Sequence, residues 1–291
     1  MKKTHFRTCS LYASISLVAI AMVLPISSLA GDKMQPGEIV AKHLESIGPT
    51  ETRTSVHSRV IAGTAVATLR SPGTAQFSGL AVMASQGNKT LIGMAFENAS
   101  YSQERFAFDG EAVTVGFIRP GLRSALGDFL MTYKNLLKTG LIGGTLTDAW
   151  PLLNLSEKNQ KLEFGGTKKF GGKNAYQVRY VPRGGSDLEI SLFFDTETFQ
   201  HVRTEYTRVI SAQLGSTVDA SASQRATRYK LIEEFSDFKK ESGLMLPHKY
   251  KIDLLLDTRG GTFSGDYDLT LTRFSFNQPI EPGSFNVNTK L

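Results

Sequence analysis

Few residues in this chain of 291 have the type and spacing that acid–base, nucleophilic or metal chemistry needs. Beyond residue 30 the histidines are His43, His57, His201 and His248, each isolated in sequence. A zinc pair on a helix needs two histidines four residues apart, so that both rings leave one face. His43-Leu44-Glu45 has no such second histidine and is expected to be solvated on an amphipathic helix. His201 alternates with Arg203 and Glu205, a pattern for the polar face of a strand. Glu233 and Glu234 are neighbours on an expected strand, so they face opposite sides and cannot act as a carboxylate pair. Whichever points inward is expected to find a cationic partner, with Arg203, Arg225 and Arg228 as candidates. No G-x-S-x-G elbow is present to carry a serine nucleophile. The glycine-rich run from Gly165 to Asn174 fails as a phosphate loop. Thr167 stands where its first glycine would be, and Asn174 replaces the magnesium-binding Ser or Thr. With strand patterns on both sides it is expected to be a hairpin. The sequence therefore predicts no catalytic residue, no metal site and no cofactor.

The elements that could position a binding site are more informative. Lys2, Lys3, His5 and Arg7 precede a short apolar stretch from Ile15 to Pro25, and Ser28-Leu29-Ala30 has the small-x-small pattern of a cleavage site. Residues 1–30 are thus expected to be a signal peptide, too short in its apolar part to remain as an anchor, which needs roughly 20 residues. The 33 Lys and Arg outnumber the 27 Asp and Glu, a formal charge of +6. Three of those basic residues belong to the expected signal, which weakens any nucleic-acid reading. The single cysteine, Cys9, lies there too, so no disulfide or cysteine ligand is expected in residues 31–291. Asp32 occupies the place where an acylated lipoprotein cysteine would stand. A periplasmic or otherwise exported, soluble product follows, with one domain over 31–291.

Twenty-seven glycines punctuate segments rich in Phe, Tyr, Val and Thr, the mark of antiparallel strands joined by tight turns. Two helices are expected. One runs from Pro36 to Ile47, with Ile39, Val40, Leu44 and Ile47 on one face and Gly48-Pro49 as its stop. The other covers Leu122 to Leu137, where Leu122, Leu126, Phe129, Leu130, Tyr133 and Leu137 recur at spacings of three and four. Trp150-Pro151-Leu152-Leu153 looks like an exposed apolar cluster within a helical insert at about 120–155. Strands are expected at 56–70, 74–84, 89–97, 103–109, 112–118, 160–165, 175–182, 187–195, 199–210, 226–239, 246–257 and 264–276. The last three could each span about 35–45 Å, which suits a strongly curved sheet or a barrel. Residues 77–83 and 91–96 are apolar on both faces and should be covered twice. A membrane-spanning barrel is disfavoured, because Lys230, Glu233, Glu234, Asp237 and Lys239 interrupt both faces of one strand.

Several short motifs, in this order, resemble the LolA/LolB superfamily of bacterial lipoprotein carriers and receptors. Gly166 to Val178 resembles a hairpin of that family, and Phe194-Asp195-Thr196-Glu197-Thr198-Phe199 resembles its Asp-x-x-Thr turn. Gly243-Leu244-Met245-Leu246-Pro247 and the loop Pro279 to Phe285 are similar to two further turns. The resemblance implies a mainly β, α+β fold: an open antiparallel half-barrel of about eleven strands with an apolar concave side closed by a helical lid. It implies a non-catalytic periplasmic carrier for lipoprotein transport and outer-membrane biogenesis. Acyl chains or lipoproteins would be its ligands, and envelope transport proteins its candidate partners, with no nucleic acid and no permanent membrane anchor. The cavity and lid are expected to be built from Phe77, Met94, Phe96, Phe106 and Phe117 together with Phe129, Leu130, Tyr133 and Leu137. The alternatives are a periplasmic lipid or envelope-stress sensor acting through a partner protein and, less favoured, an enzyme on a lipidic substrate.

Overall fold

The computed structural model describes Met1 and residues 34–154, 160–212 and 226–288. The expected signal segment, Met1 apart, and Arg225 lie outside the described residues. Helix α1, Pro36–Ile47, begins with proline at its first turn, where a missing N–H costs nothing. The Glu38 carboxylate accepts the Gln35 N–H at 2.9 Å, half of a capping box. It buries Ile39, Val40, His43 and Ile47 and stops at Gly48, where a Cβ would lie 2.9 Å from the Gly243 carbonyl oxygen. A short helix α2, Thr50–Ser55, follows.

Five strands come next: β1 (Ser58–Arg70), β2 (Thr74–Gln86), β3 (Lys89–Phe96), β4 (Gln103–Phe108) and β5 (Val113–Val115). After two helices, α3 (Ala125–Thr132) and α4 (Asn135–Lys138), seven more strands complete the sheet. They are β6 (Lys161–Phe170), β7 (Lys173–Val181), β8 (Glu189–Asp195), β9 (His201–Ile210), β10 (Thr227–Glu241), β11 (Leu244–Thr258) and β12 (Gly261–Phe276). They form one open sheet in the order β5-β4-β3-β2-β1-β12-β11-β10-β9-β8-β7-β6, twelve strands rather than about eleven. Each neighbouring pair is antiparallel. The fold is thus an open half-barrel with a few helices, in which two meanders are zipped together between β1 and β12. Gly171-Gly172 makes the β6–β7 hairpin turn with both φ positive, so the phosphate-loop alternative is excluded by geometry. One edge strand, β5, has three residues; the other, β6, carries a bulge at Gly165.

This topology constrains the connection that begins with residues 116–154. The chain leaves the sheet at the β5 edge and re-enters at the opposite edge as β6, so the connection crosses a face of the sheet. Its apolar side chains, from Leu126 to Leu152, join those of the strands in one core cluster.

Three sequence expectations change here. The helix expected over 122–137 begins only after Ser124, whose hydroxyl accepts the Gly127 N–H at 2.8 Å, and it breaks at Tyr133-Lys134. Leu122 instead forms a bridge with Arg119 and stays exposed, because Pro120-Gly121 turns the chain back on itself. Trp150 and Leu152 are 1% and 0% exposed, core rather than surface, since the crossing segment places them against the concave face. Finally, β2 and β3 are covered once only. Ala81, Met83, Ile92, Met94 and Phe96 face the core, while Leu80 and Val82 on the outer face are 69% and 37% exposed.

Candidate functional site

Apolar surface, helices and buried polar groups converge on the concave face, and the crossing segment over it falls into two stretches. The first, 125–138, comprises α3 and α4 and packs over β4 and β5. Phe129, Leu130 and Leu137 are buried and Tyr133 half-buried, with the Phe129 and Tyr133 rings 4.8 Å apart. Leu126 and Leu130 close on Phe106, Leu231, Tyr250 and Ile252 so tightly that no water fits between them. Burying each such side chain contributes roughly 1.5–3 kcal/mol. Among the described residues only one hydrogen bond ties this stretch to the sheet, from Arg208 Nη1 to the Tyr133 hydroxyl at 3.1 Å.

The nine residues expected at the site separate accordingly. Met94, Phe96, Phe106, Phe129, Leu130 and Leu137 lie in one buried cluster, with Phe77 and Tyr133 packed against it. Phe77 stacks on Tyr101 at 5.2 Å, and Tyr101 in turn touches Phe96 at 5.6 Å. Phe117 stands apart: β5 stops at Val115, and the Phe117 ring is 39% exposed with the Arg123 guanidinium 4.4 Å above it.

The second stretch, 139–153, is bound by polar groups. Gly140 closes α4 in a left-handed conformation, with Leu141 N–H donating to the Leu136 carbonyl and Gly140 N–H to that of Leu137. A Cβ on Gly140 would fall 2.0 Å from the Ala149 carbonyl oxygen. Gly143 and Gly144 also have positive φ and are packed, Gly144 against His201 and Phe235. These glycines are fixed by close contact rather than free hinges. Gly143 N–H donates to Glu233 Oε1 at 2.8 Å. Arg59 bridges Asp148 at 2.6 Å and donates to the Thr145 carbonyl at 2.7 Å, while the Ser85 hydroxyl meets the other Asp148 oxygen at 3.1 Å. Trp150 Nε1 donates to His43 Nε2 at 3.3 Å.

Three titratable groups differ from their sequence expectations. His43 is buried, not solvated, because residues 39, 43 and 47 share one helix stripe facing the sheet. Its Nδ1 bonds the Phe199 carbonyl at 3.0 Å, and burial holds its pKa down at about 4, so the ring is neutral. His201 is fully buried and stacks on Trp150 at 4.7 Å, because a bulge between Phe193 and Phe194 pairing positions shifts the strand's phase. Arg203 and Glu205 remain outward, paired with each other. Burial lowers the His201 pKa as well. Glu233 points inward but has no cation. Tyr206 and Tyr250 donate their hydroxyls to it at 2.6 and 2.5 Å, and burial raises its pKa. A second buried carboxylate, Glu104, which sequence reasoning missed, lies under the start of α3 with Tyr101, Tyr267 and Ser124 as partners. Burial pushes its pKa up to about 7.

Tyrosine hydroxyls hold Glu233 and Glu104, and the Phe199 carbonyl and the Trp150 indole hold His43. His201 Nε2 meets the Thr204 hydroxyl at 2.9 Å while its Nδ1 is buried without a partner, and no water-sized space opens beside Glu233. Among the described residues no cluster of His, Cys, Asp or Glu could hold a metal ion, and no helix is long and apolar enough to cross a membrane. Open space lies instead at the rim. A groove of about 610 Å³ runs between residues 132–139 and the β7–β8 connection.

No family model matches this chain, and no curated protein matches it. Solved structures do. The chain is similar to a LolA superfamily protein from Nitrosomonas europaea, at 12% identity over 88% of this chain and 99% of that one, with a TM-score of 0.46. It is also similar to a putative outer membrane lipoprotein-sorting protein domain from Vibrio parahaemolyticus, at 11% identity over 86% and 98%, TM-score 0.41. A DUF1329 family protein from Desulfovibrio piger follows, at 9% identity over 88% and 99%, TM-score 0.40. The superfamily named from the sequence motifs is the one to which the first of these belongs.

Proposed function

We propose that this protein is an exported, non-catalytic carrier that shields an acyl chain, free or on a lipoprotein, on the concave face of its sheet. Helices α3 and α4 act as a cover that the ligand displaces. One observation carries this reading: the cover is held mainly by apolar contact, with one hydrogen bond at Tyr133 and one at its cap Ser124, while the stretch that follows it is pinned by buried polar groups. A run of methylenes presents the same surface as Phe129, Leu130 and Leu137, so exchanging one for the other costs little transfer free energy. Swapping out the second stretch would leave the Arg59 guanidinium buried without Asp148 and take the Gly143 N–H from Glu233, at several kcal/mol. Both buried glutamates are occupied by tyrosine hydroxyls, which supports binding over catalysis. Envelope proteins that deliver or receive the ligand are the partners this role requires.

The test is the double substitution Phe129→Asp with Leu130→Asp in the exported protein. Binding of a hydrophobic dye should rise while the β-sheet circular dichroism persists. Cooperative loss of the whole sheet would make the helices permanent core, and unchanged dye binding would mean that they cover nothing.

A further inference from the structure

The rim groove beside the cover has the chemistry of an amphiphile site. Its floor is apolar: Leu136, Leu141, Leu188 and Ile190 are buried and continuous with the core beneath the cover. Its walls carry Lys134, Arg183 and Arg208 against one carboxylate, Asp187. Lys134 and Arg183 have no acidic partner among the described residues. Arg208 uses a single nitrogen, Nη1, both for the Tyr133 hydroxyl at 3.1 Å and for Asp187 at 3.4 Å. Its Nε and Nη2 donors are left unengaged among the described residues, the edge of a guanidinium that fits two oxygens of one anion side by side. A volume of about 610 Å³ is within the range of small-molecule sites.

We propose that this groove binds the phosphate headgroup of a lipid whose hydrocarbon chain runs inward under α3 and α4. The inference rests on the carrier reading above and adds the ligand's charge and its point of entry. Arg208 takes two phosphate oxygens, with Arg183 and Lys134 completing the charge balance. Phosphate on the Nε–Nη2 edge sits beside the Nη1 bond to Tyr133, so one arginine joins the headgroup to the cover. Headgroup recognition and the hold on the cover then share one side chain.

Three probes separate the possibilities: 1-oleoyl lysophosphatidate, 1-monooleoylglycerol with the same chain and no charge, and glycerol 3-phosphate with the charge and no chain. Calorimetric titration of the exported protein should show lysophosphatidate binding about tenfold tighter than monooleoylglycerol, the worth of one hydrogen bond to a charged group. Glycerol 3-phosphate should show no comparable affinity. The variant Arg183→Gln with Arg208→Gln should bring lysophosphatidate down to the monooleoylglycerol affinity. Tyr133→Phe should tighten both lipids about equally, by roughly the worth of one neutral hydrogen bond at most. Equal affinity for the two lipids, or a preference that survives the arginine substitutions, overturns the headgroup site and leaves the carrier standing. Tight binding of glycerol 3-phosphate alone would make the groove a small-anion site and also overturn it. Failure of both lipids to bind sinks the carrier reading itself.

Discussion

Residues 125–138 and 139–153 lie end to end across the same sheet face, yet different forces hold them. The first stretch is attached almost wholly by hydrophobic contact, which has no direction and accepts any partner of similar surface. The second is attached by an ion pair, a carboxylate receiving a backbone N–H, and an indole bonded to a neutral imidazole. Such contacts tolerate neither sliding nor replacement, because a buried polar group left unmatched costs about 1–3 kcal/mol or more. One continuous connection thus contains a part held by apolar contact and a part pinned by polar groups, and Gly140 marks the joint.

The largest expected effect comes from breaking the fixed part. Asp148→Ala leaves the Arg59 guanidinium buried without its carboxylate and should cost about 3–5 kcal/mol of global stability in urea unfolding. A loss confined to local opening, with the urea midpoint unchanged, would erase the contrast between the two stretches. Gly140→Ala strikes the joint itself, where φ is +74° and the new Cβ would meet a carbonyl oxygen. A cost of about 3 kcal/mol is expected from clash and left-handed strain together. A neutral result in thermal unfolding would show that the joint relaxes easily.

A comparable effect concerns pH beneath the cover. Glu104 has a folded pKa raised to about 7, above the usual carboxylate range. The folded state therefore holds this proton more tightly than the unfolded chain does. Its stabilising contribution is complete below about pH 4 and is lost as pH rises through about 7, in total about 3 kcal/mol. Glu104→Gln should flatten that decline in unfolding curves taken between pH 5 and 8; an unaltered slope would exclude Glu104 as its source. Least of all, Ser124→Ala removes the α3 cap at a cost of about 1 kcal/mol. Hydrogen exchange should quicken at 125–132 and stay slow at 143–150. Equal acceleration in both would mean that the two stretches open as one unit.

Most of the sheet could be read from spacing alone, because strands that bury one face alternate and glycines mark their turns. Helix α1 was legible for a similar reason, with Pro36 and Gly48 at its ends. What escaped was everything that depends on register between distant strands. A bulge opposite Phe193-Phe194 turns His201 inward, and no pattern within β9 announces it. Glu233 meets Tyr206 and Tyr250 only because β9 and β11 flank β10 at that register. The cover's side chains were visible as a stripe at helical spacing, but that periodicity passes straight through the break at Tyr133-Lys134. Ser124 was a readable cap signal three residues before Gly127. The rim groove had no sequence signal, since Lys134, Arg183 and Arg208 come from three separate elements.

An open sheet, unlike a closed barrel, leaves two rows of backbone donors and acceptors that could recruit a second molecule strand by strand. Here one border is only Val113–Val115, too brief to template a partner. The other is kinked at Gly165 and bears Lys161, Lys168 and Lys169, whose charges repel a like neighbour. The sheet can therefore remain unclosed while resisting polymerisation through its flanks. At high local concentration it should remain dispersed rather than grow into fibrils.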